Sequence, residues 1–476
     1  MTITKNADPV GTNRWYLSTA PVIRALIHLC VPMAAALIVG AVYNVVNAGF
    51  IGSLHDTALL AAVTLGSPLL ALVMAVGGVF GTGGGALVSR LLGASEHDPG
   101  RANEIRHVTS FAVWGSVVVG GALGGLGLLL LHPLVDLLGA DGAAVAPTRV
   151  FVAVTLGFVP VLAAAFCLEQ LVRAEGAARE VMVGLVASTV ANVGFDVLFI
   201  LLLGWGVAGA ALATGLANLV VVGYFVTWLV RNSEHVHLSP RWFTLSPAVL
   251  RPVFGVGIGE LLQAGFLILT ALVLNNLAAA YGEGPLAAMG VVVRIAQVPE
   301  FLVMGLTLGV LPLLAYSFGK GDRERLVAAV RTAAIAVGAI TVVSAVGLIL
   351  LRHQVIAAFS SDRSVLAVGG TILTAQLVAM VANGFAGLLT SLFQATGQAL
   401  AATVMPVTQG LLFLPVVLLG DRWFGLSGVI WALTVTEGTV CLVGLGLLLA
   451  RRRAIGRGLD AGRPARAEEV LEGAYA

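Results

Sequence analysis

Five ionisable side chains interrupt long apolar stretches of this sequence, namely Asp196, Glu260, Arg294, Glu300 and Glu437. Placing a charge at the centre of a membrane-spanning helix costs about 2.5–3.5 kcal/mol on insertion scales, so a charge found there is a candidate functional residue. Asp196 also has a polar neighbour at helical spacing. Asn192 precedes it by four residues, which places an amide and a carboxylate on one helix face. This pair is the first candidate site.

Two other polar side chains, Asn47 and Thr214, share the depth of Asp196 within their own apolar stretches. At about 1.5 Å of rise per residue, the three positions fall within about 6 Å of one another in depth. Carboxylate, amide and hydroxyl oxygens are the ligands that a hard cation prefers. The sequence therefore predicts a cation site formed by Asp196, Asn192, Asn47 and Thr214. Its ion is either Na⁺, held by Asp196, Asn192 and Thr214, or a proton on the carboxylate. Structural pairing of Asp196 within the helix bundle is the alternative.

A second group of polar and aromatic side chains is predicted to line a substrate cavity. It consists of Glu260, Gln263, Arg294, Glu300, Glu437 and Tyr43. Glu260 and Gln263 lie one helical turn apart, and helix packing explains them as well as function does. Arg294 and Glu300 lie about 240° apart around a helix, so each is expected to have its partner on another element.

The glycine-rich segment 77–85 (GGVFGTGGG) invites comparison with a phosphate-binding loop. It lacks the Gly-Lys-Ser/Thr ending of such loops, and it lies within an apolar stretch. We therefore expect these glycines to allow close packing or bending of a membrane helix.

The composition indicates the elements that must position these residues. The chain has 476 residues, of which 58% are hydrophobic and 11% charged, and its mean hydropathy is +1.00. Soluble domains carry about 25% charged residues, so a soluble enzyme and a nucleic-acid-binding protein are excluded as leading classes. A helix needs about 20 apolar residues to cross a bilayer, and twelve stretches qualify. They lie at 22–50, 58–88, 107–131, 148–168, 181–203, 207–230, 251–279, 286–316, 326–350, 364–390, 401–419 and 427–450.

The distribution of Lys and Arg predicts the orientation of these spans. With the N-terminus inside, 21 of the 26 basic residues fall in internal segments and 4 in external ones, while Arg294 lies within a span. Such a bias favours twelve spans in the cytoplasmic (inner) membrane, with both termini in the cytoplasm. We expect a cytoplasmic N-terminal segment at 1–21 and a cytoplasmic linker at 231–250. A cytoplasmic tail at 451–476 is expected to be disordered.

The chain also resembles itself at an offset of about 220 residues. The segment 173–176 (RAEG) recurs as 394–397 (QATG), and 60–62 (LAA) recurs as 286–288. Six spans per repeat is an even number, so both repeats have the same orientation in the membrane. The predicted fold is an all-α integral membrane protein with twelve transmembrane helices in two pseudo-symmetric six-helix bundles, an N-lobe at 22–230 and a C-lobe at 251–450.

Three segments resemble the multidrug and toxic compound extrusion (MATE) family: 43–52 (YNVVNAGFIG), 86–93 (ALVSRLLG) and 206–214 (GVAGAALAT). The resemblance covers about 20–450 and is nearest the DNA-damage-inducible-like branch. It implies a two-lobed exporter that exchanges H⁺ or Na⁺ for cationic or amphiphilic compounds. It also implies a cation site on Asn192, Asp196 and Thr214. The first-span aspartate of that branch falls on Asn47 here, which leaves Asp196 to carry the coupling charge.

Several other functions and partners are weighed against this interpretation. A lipid-linked saccharide flippase of related architecture needs a cationic cavity for pyrophosphate, and Arg294 is the only basic residue deep in a span. An intramembrane enzyme needs convergent polar groups or metal ligands, and the sequence shows no Asp-rich or His-rich cluster. We therefore expect a monomeric carrier that is not an enzyme, has no cofactor beyond its coupling ion and binds no nucleic acid. Its partners would be the lipid bilayer and small organic cations or amphiphiles.

Overall fold

The computed structural model describes residues 9–52, 57–359 and 362–462 of the chain. Within these ranges, the side chains at 44–52, 57–61, 67, 283, 363, 364 and 367 lie outside the description. Over the described ranges the protein is almost entirely α-helical, and these ranges contain no strand. Long apolar stretches in a bilayer satisfy their backbone hydrogen bonds within the helix itself, which accounts for this architecture.

The α-helices of the described ranges fall into two similar series. They are α1 (Asn13–Ser18), α2 (Val22–Gly52), α3 (Thr57–Ala94), α4 (Arg101–Leu129), α5 (Leu131–Leu137), α6 (Val145–Ala174), α7 (Ala178–Asp196), α8 (Gly206–Asn232), α9 (Pro247–Ala280), α10 (Glu283–Gly319), α11 (Arg323–Leu350), α12 (Arg352–Phe359), α13 (Arg363–Ala395), α14 (Ala399–Phe424) and α15 (Leu426–Ala461). A π-helical turn, Val197–Leu202, continues α7.

Twelve helices of the described chain are long and apolar enough to cross a membrane. They are α2, α3, α4, α6, α7 and α8 in the N-lobe, and α9, α10, α11, α13, α14 and α15 in the C-lobe. A short helix, α5 or α12, follows the third span of each lobe. The prediction of twelve spans in two pseudo-symmetric bundles is therefore confirmed. We call the face on which α2 begins and α15 ends the termini side, and the opposite face the far side.

The two lobes meet on the termini side through glycines that bring helix backbones together. Gly83 of α3 lies against the backbone of Val253 on α9, and Gly257 of α9 lies against the backbone of Val79 on α3. Gly309 of α10 packs in the same way on α2, where an added Cβ would lie 2.7 Å from the Cα of Cys30. The expectation that segment 77–85 packs closely against another helix is confirmed. We call this contact the seam.

On the far side, exposed side chains of α9 and α10 indicate a cleft between the lobes. Val298 of α10 is 53% exposed and Leu267 of α9 is 68% exposed. Arg294 is also exposed, and it precedes Gly305 by eleven residues, which is about 20° past three full helical turns. Since Gly305 packs on Ala34 of α2, Arg294 lies on the same helix face, roughly 16 Å further from the seam. This face of α10 therefore passes from the seam into the cleft.

The C-terminal end of α15 corrects one prediction. The sequence predicts disorder from residue 451, but the helix continues to Ala461. Its last turns bury Ile455 and Leu459, and Gly458 lies against the ring of Phe318 at the end of α10. An apolar face at helical spacing therefore orders this segment, although its arginines mark it as polar. Residues 463–476 lie outside the described chain.

Candidate ion and substrate sites

The carboxylate of Asp196 lies inside the N-lobe at the point where α7 becomes a π-helical turn. Its side chain is 1% exposed. Among the described residues, neither carboxylate oxygen has a hydrogen-bond partner. Buried polar atoms nearly always have a partner, and π-helical turns are frequent at functional positions. An acid in this condition is a candidate binding point for a proton or a cation.

Polar side chains from three helices form a hydrogen-bonded cluster beside this carboxylate, centred on Tyr43. The Tyr43 hydroxyl of α2 donates a hydrogen bond to Asn192 Oδ1 on α7, at 2.6 Å. The Thr214 hydroxyl of α8 lies within hydrogen-bonding range of the Tyr43 hydroxyl, and it donates to the Ala210 carbonyl at 3.1 Å. Asn192 is itself buried. The structure thus assembles carboxylate, amide and hydroxyl oxygens at one depth, as the sequence predicts for Asp196, Asn192 and Thr214.

This arrangement can hold one small positive charge. No salt bridge to Asp196 occurs among the described residues, so its charge is not neutralised by a permanent basic partner. Oxygen ligands suit H⁺ or Na⁺ rather than a soft metal. In the described part of the chain, no group of three or more His, Cys, Asp or Glu side chains could hold a metal ion. The side chain of Asn47, the fourth residue predicted here, lies outside the described residues.

The C-lobe contains its own acidic cluster, built from four helices. Gln376 of α13 donates a hydrogen bond to Glu300 Oε1 of α10, at 2.8 Å. Gln409 of α14 donates to Glu437 of α15, and Asn383 of α13 also hydrogen bonds to Glu437. The two carboxylates are close enough to repel each other. Arg294 lies on the cleft face of α10 instead, so Glu300 finds its partners on other elements, as its helical position predicts.

Glu260 lies at the floor of the cleft, where the two lobes meet. Gln394 of α13 donates to Glu260 Oε1 at 3.3 Å, and Thr82 of α3 also hydrogen bonds to Glu260. The guanidinium of Arg173, on α6 of the N-lobe, attracts Glu260 across the seam. Gln263 is exposed one turn further along α9. Glu260 is thus a contact between the lobes rather than a partner of Gln263.

Comparison with known proteins decides the family. The family model MatE matches the chain twice, over residues 32–198 and again over 257–419. The chain belongs to the MATE family of transporters. One match falls on each lobe of this MATE protein, which agrees with the internal repeat.

The relatives and solved structures of similar sequence or shape agree with this family. "Multidrug export protein MepA" of Staphylococcus aureus (strain MRSA252) is 32% identical over 435 residues, which is 90% of this chain and 94% of MepA. MepA of Staphylococcus saprophyticus is 32% identical over 435 residues, 91% of this chain and 95% of its own. A multidrug resistance MATE family transporter in an outward-facing conformation gives a TM-score of 0.84 at 22% identity, over 93% of this chain and 98% of that one. A MATE structure in the bent conformation gives 0.85, also at 22% identity, over 94% and 99%. The likeness to these two structures shows the fold alone.

Two features of the sites were missed from the sequence of this MATE protein. The sequence predicts Tyr43 in the substrate cavity, but it lies in the Asp196 cluster, because α2 packs beside α7. The distribution of basic residues places Arg173 in an internal segment, yet it is buried in the last turn of α6 and paired with Glu169. The spacing of four residues between Glu169 and Arg173 was the available signal.

Proposed function

We propose that this MATE transporter exports cationic or amphiphilic organic compounds across the cytoplasmic membrane, as a monomer, in exchange for H⁺ or Na⁺. The observation that carries the proposal is the buried carboxylate of Asp196, which lacks a hydrogen-bond partner among the described residues. The name of its MepA relatives, multidrug export protein, supports the direction of transport. Its membership of a transporter family argues against an enzyme.

The excess of Lys and Arg on the termini side supports a cytoplasmic location for both termini. With that orientation, the seam closes the cytoplasmic side and the cleft opens outward. The described conformation then corresponds to the state that releases substrate and takes up the coupling ion. Asp196 would load its ion in this state and lose it when the lobes open toward the cytoplasm. Such exchange requires the ion to bind the two states with different affinity.

The C-lobe cluster supports an organic cation as the substrate. Glu300 and Glu437 together carry two acidic groups, and the hydrogen bonds to them come from neutral amides. An ammonium or amidinium group would supply the positive charge that this cluster lacks. Arg294 on the cleft face is the one observation that favours the alternative, a lipid-linked saccharide flippase. A single guanidinium is a weak site for a pyrophosphate, which carries several anionic oxygens to be paired.

The test is efflux of a fluorescent organic cation such as ethidium from proteoliposomes, driven by a pH gradient alone or by a Na⁺ gradient alone. The Asp196→Asn variant keeps the shape of the side chain and removes its charge. It should lower gradient-driven efflux roughly 5- to 150-fold, the range of a coupling free energy of about 1–3 kcal/mol. The control is Asp136→Asn, which removes an exposed acid of α5 far from the cluster.

The two gradients distinguish the ions, because the coupling ion is the one whose gradient drives efflux by the parent chain. Efflux by Asp196→Asn at the parent rate under both gradients would show that this carboxylate does not couple transport. Efflux of a lipid-linked saccharide, with no response to ethidium, would favour the flippase instead.

A further inference from the structure

The short N-terminal segment at residues 9–21, which contains α1, lies between the two lobes on the termini side. Arg325, in the first turn of α11, donates from all three guanidinium nitrogens to backbone carbonyls of this segment. Nε donates to Leu17 at 2.9 Å, Nη1 to Ala20 at 2.7 Å and Nη2 to Tyr16 at 2.8 Å. The carbonyls of Tyr16 and Leu17 belong to the last turn of α1, where free carbonyls attract positive charge, and Ala20 follows the helix. The C-lobe therefore binds the N-terminal segment through the side chain of Arg325.

The other face of the segment rests on the N-lobe. Leu17 is buried against Gly176, in the turn between α6 and α7, whose φ of +79° favours glycine. An added Cβ at Gly176 would lie 3.0 Å from Leu17 Cγ. The ring of Tyr16 stacks on His28 of α2, with centroids 3.8 Å apart and planes 7° apart. The segment is thus seated on α2 and on the α6–α7 turn while Arg325 holds it from the C-lobe.

A second bridge between the lobes centres on Glu96, just after α3. The hydroxyl of Tyr316, on α10 of the C-lobe, donates to Glu96 Oε1 at 2.6 Å. Arg14 of the segment lies 3.3 Å from the same oxygen, and Lys320 Nζ lies 3.9 Å from Oε2. Tyr316 is 1% exposed, so its hydrogen bond is shielded from water. Glu96 therefore joins the N-lobe to α10 and to the N-terminal segment at once.

We propose that residues 9–21, with Arg325 and Glu96, form a latch that holds the lobes together on the termini side. Each of its hydrogen bonds joins a lobe to the other lobe, or to the segment seated between them. Separation of the lobes at the seam breaks these contacts, whereas the rest of each bundle keeps its own packing. The latch therefore favours the described state, and its strength sets how often the termini side opens. The inference rests on the alternation of the lobes in the proposed function, but it does not depend on which ion or compound is transported.

Cys30 provides a reporter within the chain. It is buried in the seam, and its thiol points to the Leu306 carbonyl of α10 at a distance of 3.5 Å. Opening of the seam exposes it to a water-soluble maleimide. Replacing Cys167 and Cys441, the other two cysteines of the chain, by serine leaves Cys30 as the only reactive thiol.

The test measures the rate of Cys30 labelling of the full chain in lipid nanodiscs, without any gradient. The variant is Arg325→Gln, and the matched control is Arg323→Gln, an exposed arginine two residues away on the same helix turn. Loss of the guanidinium should raise the labelling rate roughly tenfold or more, because hydrogen bonds to a charged group are among the strong ones. The control should label at the parent rate.

A milder variant tests the same latch in case Arg325→Gln does not fold. Tyr316→Phe removes one hydroxyl and keeps the buried ring, so it should fold and should raise the labelling rate by a smaller factor. Monodispersity on size exclusion checks that each variant is folded. Parent labelling rates in both Arg325→Gln and Tyr316→Phe would overturn the latch. Because labelling requires no transport, a failed efflux assay and a failed latch give separate results.

Discussion

Replacing Gly257 by alanine should drive the two lobes apart on the termini side. Gly257 of α9 faces the backbone of Val79 on α3, and an added Cβ would lie 2.9 Å from the α-carbon of Val79 and closer still to its carbonyl. Ordinary van der Waals separation begins near 3.4 Å, so the distance to this α-carbon is already 0.5 Å too short. The obstacle is backbone, which cannot rotate away as a side chain can. The clash is relieved only when the two helices separate.

The size of the effect follows from the cost of overpacking. An extra methyl group in a well-packed interior typically costs about 1–3 kcal/mol. The cost applies to the state in which the seam is closed and vanishes when the seam opens. The equilibrium should therefore shift toward the open state by roughly 5- to 150-fold.

The assay is the rate of Cys30 labelling in the background that lacks Cys167 and Cys441. The matched control is Gly265→Ala, two turns further along the same helix, where an added Cβ meets nothing within 4 Å. Faster labelling of Gly257→Ala, with Gly265→Ala at the parent rate, is the expected result. Equal rates in both variants would show that the packing of α3 on α9 does not hold the seam closed, and the reasoning from backbone overlap would fail.

Two further predictions concern single side chains. Burial, together with the nearby Glu234, raises the pKa of Glu175 from 4.5 to about 7. The folded protein therefore binds this proton more tightly than the unfolded protein does. Its free energy of unfolding should fall by up to roughly 3 kcal/mol as pH rises from 4.5 through 7, at about 1.4 kcal/mol per pKa unit. The Glu175→Gln variant should lack this fall when thermal unfolding is compared at pH 5 and pH 8. Tyr43→Phe removes the hydroxyl that donates to Asn192. At about 1 kcal/mol per hydrogen bond, this loss should lower ion-driven efflux roughly fivefold. The control Tyr281→Phe changes an exposed tyrosine on the far side and should leave efflux unchanged.

Much of the fold follows from patterns along the amino-acid sequence. Hydropathy and the positions of basic residues predict twelve spans, because a bilayer requires continuous apolar helices of fixed length. The glycines of segment 77–85 predict a close approach of two helices, although not which helix is the partner. The Asp196 cluster follows in part from depth, since Asn192 and Thr214 lie at the same level as the carboxylate.

The remaining interactions depend on which helices are neighbours, and the sequence does not contain that information directly. Tyr43 reaches Asn192 because α2 packs beside α7, although 149 residues separate them. Arg325 holds residues more than 300 positions earlier in the chain. Residues 451–461 are helical because Ile455 and Leu459 are buried, and that burial requires the end of α10 as a partner. Each of these interactions depends on the packing of helices against one another within and between the lobes.

One helix, α2, connects the ion cluster to the seam. Its residue Tyr43 hydrogen bonds within the cluster, and Cys30, thirteen residues earlier, touches α10 in the seam. At about 1.5 Å per residue, these two points lie roughly 20 Å apart on a single helix. Pro32 lies between them and cannot donate to the carbonyl four residues before it, so α2 bends there more easily than elsewhere. In the proposed mechanism, a change of charge at Asp196 that repositions Tyr43 would be carried along α2 to the seam. There it would act against the proposed latch, which contacts the same helix through the stacking of Tyr16 on His28. The proposed ion site and the proposed latch would therefore act on opposite ends of this helix, and the balance between them would set which side of the membrane the cleft faces.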